Sequence, residues 1–285
     1  MLNKKNLTWA NSIQIIDRTQ DLNETDPLYA FALDELLCKQ AHVSGTSFCH
    51  IWRHPNAFIL GQRDSRLSGV TQAIQWLESQ GSIPVVRNSG GAAVPLDLGT
   101  INLSLIFPKA TSANIHFHQD FEKMYELIRE ALSFTGLSID KGEIQGAFCP
   151  GDYDLSIAGR KFCGIAQRRQ LHAYSIQAFV ISNGSGAKRT QLVRSFYNHA
   201  TLDTLLDDYP QVTDESTGSL EELAQLGPDA DQIFIDAIKR TLTEAQTITA
   251  TSLVNNDLKQ SHIILPNPET IRAVADKLRK RYSIR

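Results

Sequence analysis

Cysteine is scarce in this 285-residue chain. The four present, Cys38, Cys49, Cys149 and Cys163, form no CxxC pair and no Cys/His spacing suited to zinc. That excludes a metal- or disulfide-stapled fold, which a chain of this length does not need. Long hydrophobic runs are missing too: nothing approaches the roughly 20 apolar residues of a membrane span. The start, MLNKKNLTWANSIQIID, is charged and lacks a continuous apolar stretch. It does not read as a secretory signal, so a cytoplasmic protein with free thiols is expected. Neither sign of charge is in excess. With 28 basic and 31 acidic residues and a net charge of −3, there is no global electrostatic case for nucleic acid. No internal repeat and no low-complexity tract occurs.

What is there is the mix of an ordinary globular protein, 42% hydrophobic and 21% charged residues. SIQIIDR reads as a strand, and Asp26 with Pro27 starts a helix running to about Val43. SFCHIWRH and AFILGQR are short strands around Pro55. GVTQAIQWLESQ is a helix ending at Gly81, and IPVVRN is a strand. SGGAAVPLDLGT reads as a glycine-bearing turn region, and INLSLIF alternates like a half-buried strand. HQDFEKMYELIREALSFTG has helical periodicity with a glycine stop. DYDLSI and RKFCGIAQRR flank Ala158 and Gly159 as a hairpin, with LHAYSIQAFVIS as a third strand. GAKRTQLVRSFYNHA is a helix, and beyond Leu206 a polar connection leads to two or three more. This order predicts an α+β fold, a mixed and largely antiparallel sheet flanked by helices. The change of texture predicts a catalytic domain over 1–206 and a small helical C-terminal extension over 207–285.

Three segments carry candidate chemistry. Arg87-Asn88-Ser89-Gly90-Gly91-Ala92-Ala93-Val94 follows a strand, and paired glycines permit positive φ and close backbone approach to a ligand. It is neither GxGxxG nor a Walker loop, and a β-bulge or hairpin corner explains it equally well. Cys149 lies in GAFCPGDYD, between turn-forming clusters, whereas Cys38, Cys49 and Cys163 sit where a small buried thiol suits a helix or strand. A nucleophilic thiol needs access and a nearby cation. Lys161, Arg168 and Arg169 on the following strand are the candidates. Hairpin pairing sets Lys161 opposite Ser156, so the Cys149 loop must fold back over the sheet to meet it. The third segment, Gly159-Arg160-Lys161-Phe162-Cys163-Gly164, places a lysine beside a glycine. Taken singly, an inert cysteine and a solvated strand lysine are the simpler readings of the last two.

Together, in this order and spacing, the segments resemble the lipoate and biotin protein ligase superfamily. Arg87 to Gly91, with Val94, Asp97, Leu98 and Gly99, looks like its acyl-binding loop, and Lys161 is similar to its characteristic lysine. CPGDYDLSIAGRKFCGIAQRR resembles the branch that moves octanoyl groups from the glycine-cleavage H protein. The resemblance covers about residues 30–205. Two departures separate the chain from the ATP-dependent ligases. Their third loop glycine and histidine are replaced here by Ala92 and Leu96, and a cysteine precedes the lysine.

The resemblance implies that Cys149 attacks an octanoyl-lysine amide of the H protein, forming a thioester that a lysine of a lipoyl domain then attacks. It implies a thiolate-stabilising and proton-shuttling role for Lys161, and an acyl-binding set of Arg87, Ser89, Gly90, Gly91, Ala93, Val94 and Gly164. Val86 and Leu103 would further line the acyl channel, and N–H groups near Gly90, Gly91 or Gly164 would hold the oxyanion. Neither cofactor nor metal is called for, and neither membrane nor nucleic acid is an expected partner. An ATP-dependent lipoate–protein ligase and a non-catalytic lipoyl-domain-binding module are the alternatives. The basic terminal helix, with Arg272, Lys277, Arg279, Lys280 and Arg281, is either a solvated helix end or a steering surface for acidic partners.

Overall fold

A computed structural model of the chain describes residues 7–109, 117–202, 208–252 and 264–283. The first half runs β1 (Gln14–Arg18), α1 (Leu28–Ser44), β2 (Phe48–Trp52), β3 (Asn56–Leu60), α2 (Val70–Ser79), β4 (Ile83–Val86), β5 (Val94–Asp97) and β6 (Thr100–Pro108). Then follow α3 (Phe117–Ala131), β7 (Asp140–Lys141), β8 (Leu155–Ile157), β9 (Arg160–Arg169), β10 (Ala173–Ile181) and α4 (Gly186–Ala200). The chain closes with α5 (Leu220–Leu223), α6 (Ala230–Ser252) and α7 (Pro268–Arg281). Helix ends carry local signals. Asp26 Oδ1 accepts the Leu28 N–H at 3.0 Å, and Gly45, at φ 73°, closes α1 in the left-handed conformation. Asn267 caps α7, with Pro268 in its first turn.

Seven strands form one sheet in the order β1-β2-β6-β10-β9-β8-β7. Only the β1–β2 pair is parallel, so the sheet is mixed and largely antiparallel, as expected. A second sheet, β4-β3-β5, lies apart. Its strand β5 occupies the stretch read as a turn region, because Val94 and Leu96 pair with β3 and bury. The two-residue β7 was also not legible: it has no apolar alternation and exists only by pairing with β8.

Alternation divides the large sheet's side chains between two cores. Leu103, Leu105, Ile176 and Val180 face α3 and α6, meeting Met124, Leu127, Phe234 and Ile238. Phe48, Trp52, Ile106 and Phe179 belong to the other core, with α1, α2, α4, α7 and the small sheet. Strand β6 therefore is not half-exposed. Its polar residues Asn102 and Ser104 are buried as well, because that face is roofed by α1. There the Asp34 carboxylate accepts from Ser104 Oγ at 2.6 Å and Gln177 Nε2 at 2.9 Å, with His50 Nδ1 at 2.8 Å. A polar row thus lies under the roof, and a cavity opens over it.

Candidate active site

The cavity, about 440 Å³, lies between the large sheet, the β4–β5 loop and the loop preceding β8. Phe31, Trp52, Ile59, Val94, Leu96 and Phe179 supply much of its apolar wall. Cys149 lies at its side, only 8% exposed, so access to the thiol is through the cavity and not from the surface. Its φ of 48° is left-handed, a conformation that a residue with a Cβ adopts at a cost of about 1–2 kcal/mol. Such strain persists only where neighbours enforce it.

Two donors meet the sulfur. Arg87 Nη2 and the Ala92 N–H each lie 3.3 Å from Sγ, and both come from the loop between β4 and β5. Arg87 Nη2 also donates to the Ala92 carbonyl at 2.7 Å, which folds the loop round the guanidinium. Gly91, at φ 97°, makes that fold possible. A Cβ there would stand 2.2 Å from Arg87 Nη2 and 2.9 Å from Cys149 Sγ. The loop is tied down at both ends. Asn88 Nδ2 donates to Glu35 at 2.6 Å. The Ala93 N–H donates to Tyr197 Oη at 3.3 Å, and that hydroxyl donates to the buried Asp64 at 2.9 Å.

Lys161 pairs with Ser156 across the hairpin, the register read from the sequence, and the Cys149 loop does fold back over it. The contact differs from the expected one. The fully buried Lys161 ammonium donates to the carbonyls of Cys149 at 2.6 Å and Phe148 at 2.9 Å, and pairs with Asp154 Oδ1 at 2.8 Å. It holds the backbone beneath the thiol. Burial pushes the Asp154 carboxyl up to about 6, with Lys161 pulling the other way. The remaining cation candidates are engaged elsewhere: Arg168 pairs with Glu35 at 3.0 Å and Arg169 with Asp120 at 2.8 Å. The cation at sulfur is Arg87, which the sequence assigned to acyl binding.

Of that acyl-binding set, Arg87, Ser89, Gly90, Gly91, Val94 and Gly164 line the cavity. Ala93 does not: it is fully buried and its N–H serves Tyr197. Val86 is likewise in the core and outside the lining, whereas Leu103 borders the cavity with its side chain packed on the opposite face of the sheet. Asp154 was missed although it stands inside the quoted motif. Nothing local separates it from Asp152, and only folding buries one of the two. His118 and Tyr153, also at the cavity wall, carried no signal of their own. The other three cysteines are buried as well. Burial pushes the Cys49 thiol up to about 12 and those of Cys38 and Cys163 higher still.

This arrangement offers a thiol met by a guanidinium and a backbone N–H at the side of an apolar cavity, the parts of a covalent acyl carrier. The model of the lipoyl protein ligase A/B catalytic domain matches residues 26–247. The octanoyl-[GcvH]:protein N-octanoyltransferase of Exiguobacterium sibiricum is 37% identical over 241 residues, covering 84% of this chain and 87% of that one. The enzyme of the same name from Geobacillus kaustophilus is 38% identical over 231 residues, 80% of this chain and 81% of its own. Among solved structures, lipoate-protein ligase A bound with ATP superposes with a TM-score of 0.64 at 17% identity, covering 96% of both chains.

Proposed function

Because the chain belongs to the lipoyl protein ligase A/B catalytic-domain family, we propose that it is an octanoyltransferase working through a thioester on Cys149. It takes an octanoyl group from the glycine-cleavage H protein and delivers it to lysines of lipoyl domains. The observation that carries the thiol's role is the pair of donors converging on Sγ at the wall of an apolar cavity.

Arg87 and the Ala92 N–H hold the sulfur by hydrogen bonds and face the negative charge it carries in attack. The thiolate attacks the amide carbonyl, and the lysine of the H protein leaves. Each methylene of the acyl chain buried in the cavity contributes about 0.8 kcal/mol, which holds the thioester out of water until an acceptor lysine arrives. Lys161 acts as a positioning residue. Its ammonium fixes the two carbonyls on either side of the Cys149 α-carbon and so keeps Cys149 in its strained conformation. Ser89, Gly90, Gly91 and Gly164 shape the wall beside the thiol. We place the reaction in the cytoplasm, a setting suited to four free cysteines. No described helix is long and apolar enough to cross a membrane.

The test is intact mass spectrometry after mixing the protein with octanoyl-H protein in the absence of ATP. The expected result is an octanoyl adduct on the parent, lost on hydroxylamine treatment and absent from Cys149→Ala. An adduct on Cys149→Ala, or transfer of free octanoate that requires ATP, overturns the thioester route.

A further inference from the structure

Two peptide groups of the β4–β5 loop serve the thiol. The one between Gly91 and Ala92 points its N–H at Cys149 Sγ, 3.3 Å away. The one between Ala92 and Ala93 offers its carbonyl to Arg87 Nη2 at 2.7 Å, and that nitrogen lies 3.3 Å from the same sulfur. In a trans peptide the C=O and N–H point opposite ways, so each group has a far end turned from the partner it serves. A peptide plane keeps its aim only if that far end is held.

Both far ends lead to one buried carboxylate. The Ala93 N–H donates to Tyr197 Oη at 3.3 Å, and that hydroxyl donates to Asp64 Oδ1 at 2.9 Å. The Gly91 carbonyl lies against Gly61, so closely that a Cβ on Gly61 would stand 2.0 Å from its oxygen. Gly61 is held in turn through its N–H, which donates to Asp64 Oδ2 at 2.7 Å. Next to it, the Leu60 carbonyl accepts the Arg87 N–H at 3.0 Å. Asp64 thus sets Gly61 with one oxygen and Tyr197 with the other.

The hydroxyl accepts from Ala93 and donates to Asp64 only while it keeps its proton, and burial with the neighbouring Asp64 holds the Tyr197 pKa well above its ordinary value. The ring is fixed edge-on by Phe196 and stacked on Tyr209, with centroids 5.1 and 5.3 Å away. Tyr197 and Asp64 are 1% and 2% exposed, and neither lines the cavity. They can reach the chemistry only through the loop. Packing alone would be served as well by phenylalanine. A buried hydroxyl and carboxylate must instead offset their desolvation with the hydrogen bonds they make.

Resting on the thioester reading, we propose that Tyr197 and Asp64 are positioning residues for Cys149. Through the Ala92–Ala93 peptide and Gly61 they hold Arg87 Nη2 and the Ala92 N–H on the sulfur. Removing the phenol oxygen frees that peptide to turn. Its carbonyl then no longer keeps the guanidinium at the thiol, although every residue lining the cavity is still in place.

The test measures Cys149 with two reagents in the parent, Tyr197→Phe, Asp64→Asn and Val193→Ala. Octanoyl-H protein reports thioester formation by intact mass in single turnover. Iodoacetamide reports the sulfur's reactivity with no acyl donor, by the mass of the peptide carrying Cys149. Tyr197→Phe should slow both reactions by about 10-fold, the equivalent of one hydrogen bond, with the half-saturating concentration of octanoyl-H protein unchanged. Asp64→Asn should slow them at least as much, since it also loosens Gly61. Val193→Ala, which cuts a fully buried side chain of the same helix as Tyr197, should lower the melting temperature and keep both parent rates. In an Arg87→Met background Tyr197→Phe should add less than about twofold, because the path it acts through is already gone. Near-parental rates in Tyr197→Phe overturn the assignment. So does an equal loss in Val193→Ala, which marks a structural role, or the full loss repeated on Arg87→Met. If Arg87→Met does not fold, the single variants decide alone. A parent that is alkylated but forms no octanoyl adduct refutes the thioester reading, and the iodoacetamide rates still judge Tyr197.

Discussion

Cys149 and Asp154 owe their properties to burial more than to residue type. Cys149 is one of four thiols, and burial opposes ionisation of the other three. What distinguishes it is a guanidinium at 3.3 Å, delivered from a loop 62 residues earlier in the chain. Asp154 pairs with Lys161 at 2.8 Å, and its titration has a consequence for stability. Its carboxyl is pushed from 3.8 to about 6 by burial. Between those values the folded protein retains a proton that the unfolded chain has already lost. This group's contribution to stability is therefore full below about pH 3.8 and is lost as the pH rises through about 6. Urea denaturation of the parent and Asp154→Asn at stepped pH should reveal it. The parent's advantage should shrink by up to about 3 kcal/mol from about pH 4 to pH 7, on top of a constant difference from replacing the carboxyl by an amide. A difference that stays constant with pH would show that Asp154 is not held protonated by burial.

At the scale of elements, the β4–β5 loop is the piece that assembles the site, and its two glycines do different work. Gly90 has open space where a Cβ would stand, whereas at Gly91 a Cβ meets both the guanidinium and the sulfur in a backbone of positive φ. Gly91→Ala should lower the melting temperature by about 3 °C or more and slow thioester formation at the same time. Gly90→Ala should do neither, and Gly90→Phe should weaken binding of an octanoyl probe while the melting temperature holds. Calorimetry and probe titration on the three variants decide this, and equal melting of Gly91→Ala and the parent would contradict the loop geometry. The hairpin of β8 and β9 was legible down to its register, because Ala158 and Gly159, at φ 50° and 75°, make a two-residue turn whose flanking strands alternate. Strand β5 was not. Its Val94 and Leu96 look like any apolar pair between glycines, and pairing with β3 is a long-range event.

The whole molecule is built on a sheet with a core on each face, and the chain's last described helix closes one of them. Ile271, Ala275 and Leu278 of α7 pack into the core that includes α1. Two of its five cations are spent on internal ion pairs, Arg272 with Glu24 and Arg279 with Asp26, both at the N-terminal side of α1. Lys277, Lys280 and Arg281 are exposed. If these three steer acidic partners, raising salt from about 50 to 500 mM should lower the second-order rate of transfer from H protein, since screening shortens the field's reach from roughly 14 Å to 4 Å. A variant with alanine at the three positions should show a weaker salt dependence, with chemistry on the loaded enzyme unchanged. The same salt dependence in both would leave them as ordinary helix-end charges.

Periodicity, turn residues and capping signals act over a few residues, and they determined the helices, the hairpin, the mixed sheet and the loop that bears Arg87 to Gly91. The order of motifs was enough to point to the family and to single out Cys149. Tertiary structure alone decided which cation faces the sulfur. Arg87 lies 62 residues from Cys149 and Lys161 twelve, and their distances in space follow from how the β4–β5 loop and the Cys149 loop close over the sheet. It also decided that Lys161 would hold backbone carbonyls, because its fully buried ammonium must satisfy three donors with whatever acceptors the fold brings within reach.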